Sequence, residues 1–83
     1  MNLNHLQYFL ETCRYGSITK ASEVCHISQP SITAAINNLE KELGAKLFDR
    51  VNNRLRLTVV GEGFKDLTEE FLKTFDDYCQ SAY

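Results

Sequence analysis

The sequence predicts a mainly α fold: three helices and a short β-hairpin form one body, and a long helix closes the chain. Three observations predict it. Between Ser28 and Gly44, Ile32, Ile36, Leu39 and Leu43 recur at helical spacing, with an end signal on either side. Around Asn52 and Asn53 that period breaks, and asparagine tolerates the positive φ that a two-residue hairpin turn requires. From Thr58 onward, apolar residues return at steps of three and four. The chain has 83 residues, enough for one domain, so the division is a body over 1–58 and a helical extension over 59–83.

In chain order, Asn2 or Asn4 caps a first helix whose Leu3, Leu6, Phe9, Leu10 and Cys13 share a face. Gly16 ends it in the left-handed conformation, which glycine adopts without steric cost. Ser17 or Thr19 opens a short second helix with Ala21, Val24 and Cys25 inward. His26 and Ile27 then leave so short a turn before Ser28 that the next helix must cross steeply, as in a helix-turn-helix unit. Ala21 suits that crossing, because a small side chain lets the next helix come close.

In the third helix, Ser28 stands as the N-cap, Pro30 falls in the first turn where a missing N–H is tolerated, and Gly44 stands as the C′ residue. Opposite the apolar stripe lie Pro30, Ala34, Asn37, Asn38 and Lys41, with Gln29 and Thr33 on its flanks. Lys41 is the one charge there. A solvated helix face usually carries several Lys and Glu residues, so this face suits contact with another molecule, and nucleic-acid base edges are one candidate.

Leu47, Phe48, Leu55 and Leu57 anchor the hairpin, and Arg50, Arg54 and Arg56 make it the densest basic cluster in the chain. A short hairpin with arginines at its tip is a wing. Thr58 caps the closing helix, although Gly61 and Gly63 cost about 1 kcal/mol each in helix propensity. Val60, Phe64, Leu67, Phe71, Phe75, Tyr78 and Ala82 form its stripe. That stripe is too long and too aromatic for the small body to cover, and a second copy of the chain is its expected partner.

Composition sets limits on the class. With 43% hydrophobic and 24% charged residues the chain is an ordinary globular one, and no apolar run nears the roughly 20 residues of a membrane span. The N-terminus lacks the basic region and apolar core of a signal peptide, so a cytoplasmic protein is expected. The net charge of −2 argues against a nucleic-acid partner until it is divided along the chain. Residues 1–57 hold seven Lys or Arg against five Asp or Glu, and residues 58–83 hold two against six. The acidic excess belongs to the tail and the body is mildly basic. Cys13, Cys25 and Cys79 match no zinc or redox spacing, and adding His5 and His26 gives no ligand pair, so no metal is expected.

Taken together, these residues resemble the N-terminal DNA-binding domain of LysR-type transcriptional regulators. The likeness rests on Leu3, Leu6 and Phe9; on Gly16, Ser17, Thr19 and Ala21; and on Ser28, Gln29, Ile36, Leu39, Glu40, Leu43 and Gly44. It continues through Leu47, Phe48, Arg50, Arg54, Leu57, Thr58 and Gly61, and so covers essentially the whole chain. The resemblance implies a bacterial transcription regulator with a winged helix-turn-helix whose third helix enters the major groove of double-stranded DNA. It also implies a wing on the backbone or minor groove and dimerisation through the long helix. Relatives of this kind continue into an effector-binding domain that senses a small molecule. These 83 residues stop inside the linker helix, so the sequence reads as a fragment without that domain. Ser22, Cys25 and Ala34 stand where the family often has alanine, leucine and a polar or basic residue, and Val60 replaces a small residue before Gly61. Ala34 and Ala35 lower the hydrogen-bonding capacity of the recognition face.

On this reading Gln29 offers its carboxamide to adenine, against the plainer reading of a solvated first-turn residue. Pro30 and Ala34 offer apolar contact to a thymine methyl, although Pro30 also serves helix initiation. Thr33 and Asn37 are candidates for base or phosphate contact. Ser17, Thr19, Lys20 and Ser31 are candidates for phosphate, with capping the stronger role for Ser17. Arg50, Asn53, Arg54 and Arg56 are the wing candidates, with Asp49 a competing surface partner for Arg50. Val60, Phe64, Leu67, Phe71, Phe75 and Tyr78 are the dimer candidates. No nucleophile, base and oxyanion donors converge at any spacing, so neither catalysis nor a cofactor is expected. The rival reading is a winged-helix module that dimerises and binds protein instead of DNA.

Overall fold

The structure, a computed structural model, describes residues 1–81. Its elements run α1 (Leu3–Tyr15), α2 (Ile18–Cys25), α3 (Gln29–Leu43), β1 (Phe48–Val51), β2 (Arg54–Leu57) and α4 (Val59–Ser81). The helix ends follow the local signals. Asn2 accepts the His5 N–H at 3.0 Å, Ser17 accepts that of Lys20 at 3.1 Å, and Ser28 accepts that of Ser31 at 3.2 Å. Gly16 and Gly44 close α1 and α3 at φ 60° and 70°. Between α2 and α3 the left-handed residue is His26, at φ 58°, a conformation a non-glycine residue takes at some cost. The hairpin turns through Asn52 and Asn53, both at positive φ, and pairs Phe48 with Leu57, Asp49 with Arg56, Arg50 with Leu55 and Val51 with Arg54.

Two clusters fill the core. Leu6, Phe9, Leu39, Leu47 and Phe64 tie α1, α3, the wing root and α4 together, while Ala21, Ile32 and Ile36 hold α2 against α3. Phe9 is the hub of the first cluster, its ring centroid 5.5 Å from that of Phe48 and 5.2 Å from that of Phe64. Thr12 and Ser22 are buried yet satisfied, because each hydroxyl donates to a carbonyl of its own helix, Tyr8 O at 2.8 Å and Thr19 O at 2.7 Å.

Several expectations change. Leu3, Val24 and Leu43 are exposed, because each sits at or near a helix end where the packed face has run out. Ala35 is buried beside Ile36, which leaves Ala34 as the one alanine on the outer face. Phe64 belongs to the intramolecular core, so it is not part of an exposed dimer stripe. The physical reason is that α4 has two adjoining apolar faces. Gly61, Phe64, Thr68 and Leu72 turn toward the body, whereas Val60, Leu67, Phe71, Phe75 and Tyr78 are exposed. Ala82, the last residue of the expected stripe, lies outside the described residues.

The root of the wing is fastened at one residue, Leu47. Leu47 donates its N–H to Glu40 Oε2 at 2.8 Å and accepts the Thr58 N–H at 3.0 Å. Thr58 Oγ1 donates to Lys46 O at 2.6 Å and accepts the Gly61 N–H at 2.9 Å, so it caps α4 and closes the hairpin base together. Gly61 is required by close approach: a Cβ there would run into the Leu47 carbonyl and the Leu57 side chain.

Candidate nucleic-acid interface

The packed α2–α3 pair and the hairpin leave a groove of about 320 Å³ between the start of α2, the first turns of α3 and the wing. Ser17 and Thr19, Gln29 and Thr33, and Arg50 and Asn53 line it from those three elements. Each is placed by a local rule. Ser17 and Gln29 stand at the starts of capped helices, Thr33 lies one turn after Gln29, and Asn53 forms half of the hairpin turn. Arg50 follows Phe48 by two residues, so it lies on the same strand face as that core residue. Asn37 continues the line from Thr33 toward the wing root, in a smaller recess it shares with Arg50 and Lys46.

The remaining candidates lie elsewhere. Pro30 and Ala34 are exposed on the outer side of α3 without lining the groove. Arg54 and Arg56 are exposed on the opposite strand face from Arg50, with Arg56 paired across the ladder to Asp49. The three arginines therefore do not form one patch. None of them makes an ion pair among the described residues, and the Asp49–Arg50 pair does not form. Lys20 is turned toward Glu23 at 3.9 Å, and Ser31 Oγ shares a 2.8 Å hydrogen bond with Ser28 Oγ.

Glu40, which the sequence allows as a surface or ion-pair residue beside a packed helix face, is nearly buried: it accepts the Leu47 N–H and has Lys46 Nζ 3.7 Å from its other oxygen. No spacing rule points to that bond, because the donor is a main-chain N–H beyond the Gly44 turn. Elsewhere, burial pushes the Cys13 thiol up to about 12 and raises that of Cys25, so both stay protonated at neutral pH. Among the described residues no three His, Cys, Asp or Glu side chains gather as a metal set would require, and no helix is long and apolar enough to cross a membrane.

A three-helix body with an outward second helix of the crossing pair and a hairpin beside it defines a winged helix-turn-helix domain. Residues 3–62 match the model of the bacterial regulatory helix-turn-helix proteins of the lysR family, and the chain belongs to that family. It is 41% identical over 83 residues to the transcriptional activator protein LysR of Escherichia coli, covering 100% of this chain and 24% of that one. Over 57 residues it is 49% identical to the uncharacterized HTH-type transcriptional regulator YwbI of Bacillus subtilis, covering 69% of this chain and 19% of the relative. The chain thus spans only a minor part of these relatives' length. The crystal structure of a BenM_DBD/catB site 1 DNA complex superposes with a TM-score of 0.93 at 33% identity, over 99% of this chain and 91% of that one.

Proposed function

We propose that this chain is the DNA-binding part of a bacterial, cytoplasmic LysR-type transcriptional regulator. It reads double-stranded DNA with α3 in the major groove and the wing on the backbone or minor groove. The observation that carries this reading is the single groove bounded by Ser17, Thr19, Gln29, Thr33, Arg50 and Asn53. Amide and hydroxyl groups at the start of α3 suit base edges, while a guanidinium and hydroxyls around them suit phosphates. The likeness to a DNA complex supports the same assignment. The role is binding and not catalysis.

Two copies joined through the exposed stripe of α4 form a symmetric dimer on an inverted-repeat promoter site. Half-sites would then stand about one helical turn, or a multiple, apart. A small-molecule effector acts through a further domain outside these 83 residues. The test is affinity for duplex DNA as a function of salt, which should fall with a log–log slope of roughly −0.9 per phosphate contacted. Flat binding between low and moderate salt would instead favour the protein-interaction module. Selection from random DNA should return the inverted repeat.

A further inference from the structure

The chain uses few cations for a DNA reader, and only Arg50 of the wing arginines shares the groove with α3. Its placement depends on how the hairpin leaves the body. The hairpin is two four-residue strands, too small to fix its own orientation. Its two ends are held by Leu47 and Thr58, and Leu47 is held in turn by Glu40, which lies on α3 one to three turns beyond Asn37, Thr33 and Gln29. A second, longer approach at 3.5 Å brings the Phe48 N–H to the same Glu40 oxygen at the first residue of β1. Glu40 is thus the polar link between the helix that meets the bases and the strand that carries Arg50.

We infer that Glu40 is a positioning residue for DNA binding: its carboxylate fixes the wing root so that Arg50 faces the groove beside Gln29 and Thr33. This rests on the DNA-binding reading above. Glu40 touches no DNA on this account, and its own negative charge opposes binding. Its benefit acts through the acceptor oxygen on Leu47 N–H, a contact that an amide oxygen also makes, although more weakly than a carboxylate.

The test measures binding of the 83-residue chain and its variants to a short mixed-sequence DNA duplex over a range of salt, with thermal unfolding in parallel. Arg50→Ala should flatten the log–log slope by about 0.9, one phosphate contact. Glu40→Ala should flatten it by a similar amount, and the double variant should lose no more than either single one. Glu40→Gln, which keeps the acceptor, should retain the wild-type slope. Glu40→Asp keeps the charge but withdraws the carboxylate by one methylene, so it should behave as Glu40→Ala does and serves where the alanine variant does not fold. A variant that is merely less stable would lose affinity in proportion to its folded fraction with the slope intact, and that result overturns the inference. So does an additive double variant, or equal tightening by Glu40→Gln and Glu40→Ala, which would leave charge as the whole effect. A wild-type chain with no salt-dependent binding overturns the DNA-binding reading instead.

Discussion

The rings of Phe9 in α1 and Phe64 in α4 meet with centroids 5.2 Å apart and planes inclined by 56°. The closing helix is therefore part of the core of the body for its first turns, and becomes a separate feature only beyond Leu72. Tilted aromatic pairs of this kind add about 0.5–1.5 kcal/mol to the area they bury.

Truncating the two kinds of α4 aromatic should have separate consequences. Phe64→Ala should cost about 3–5 kcal/mol in urea unfolding, a large part of the stability of a domain this small. Phe71 is exposed, with its ring beside that of Phe75, and Phe71→Ser should leave chain folding nearly unchanged while weakening self-association in sedimentation. If both variants unfold alike, the two-face description of α4 fails.

The two glycines of α4 should respond with opposite signs. Alanine is the better helix former by about 1 kcal/mol, and a Cβ on Gly63 meets open space, so Gly63→Ala should raise the thermal midpoint. At Gly61 the same methyl collides with the Leu47 main chain, which cannot swing aside as a side chain would. Gly61→Ala should therefore lose about 1–3 kcal/mol despite its helix propensity.

Base reading and backbone holding should come apart in binding assays. Gln29→Ala should cost about 1–3 kcal/mol on the selected site and little on random DNA. Arg50→Ala should weaken both by similar factors, and Arg54→Ala should do less, because Arg54 lies on the strand face away from the groove. Equal losses on cognate and random duplexes for Gln29→Ala would refute its role.

The Cys13 thiol gives a pH signature. Burial pushes it from an ordinary 9.0 to about 12, with the nearby Lys65 partly opposing the shift. The folded state thus holds a proton that the unfolded chain releases above pH 9. That contribution to stability is complete below pH 9 and is lost as pH rises toward 12. Thiol alkylation at pH 8 should be slow at Cys13 in the folded chain and rapid in urea; fast native labelling would contradict the burial.

Much of the fold was legible because its signals are local. Ser17, Ser28, Gly16 and Gly44 mark their helix ends within a few residues, and Asn52–Asn53 marks its turn. His26 carries no such mark, since glycine or asparagine is the usual left-handed residue at a helix end. Periodicity placed Phe64 on the apolar side of α4 but carried no information about whether the neighbour there is the body or another chain. Arginine density marks the wing, yet pairing decides the use of each arginine: Arg50 lies opposite Leu55, which sets it on the other face from Arg54 and Arg56. The Glu40–Leu47 bond has no signature at all in side-chain pattern, because one of its partners is main chain.

Thr58 spans two jobs, closing the hairpin base through Lys46 and starting α4 through Gly61. The reading head and its shaft are thus joined through one shared residue as well as through the Phe9–Phe64 packing. In the proposed dimer, two such pieces joined shaft to shaft would act like a drawing compass: rotating one shaft against the other would change the span between the two points while leaving each point's shape alone. In a regulator built this way, a signal arriving at the shafts would retune the distance between recognised half-sites and leave the letters read at each of them unaltered.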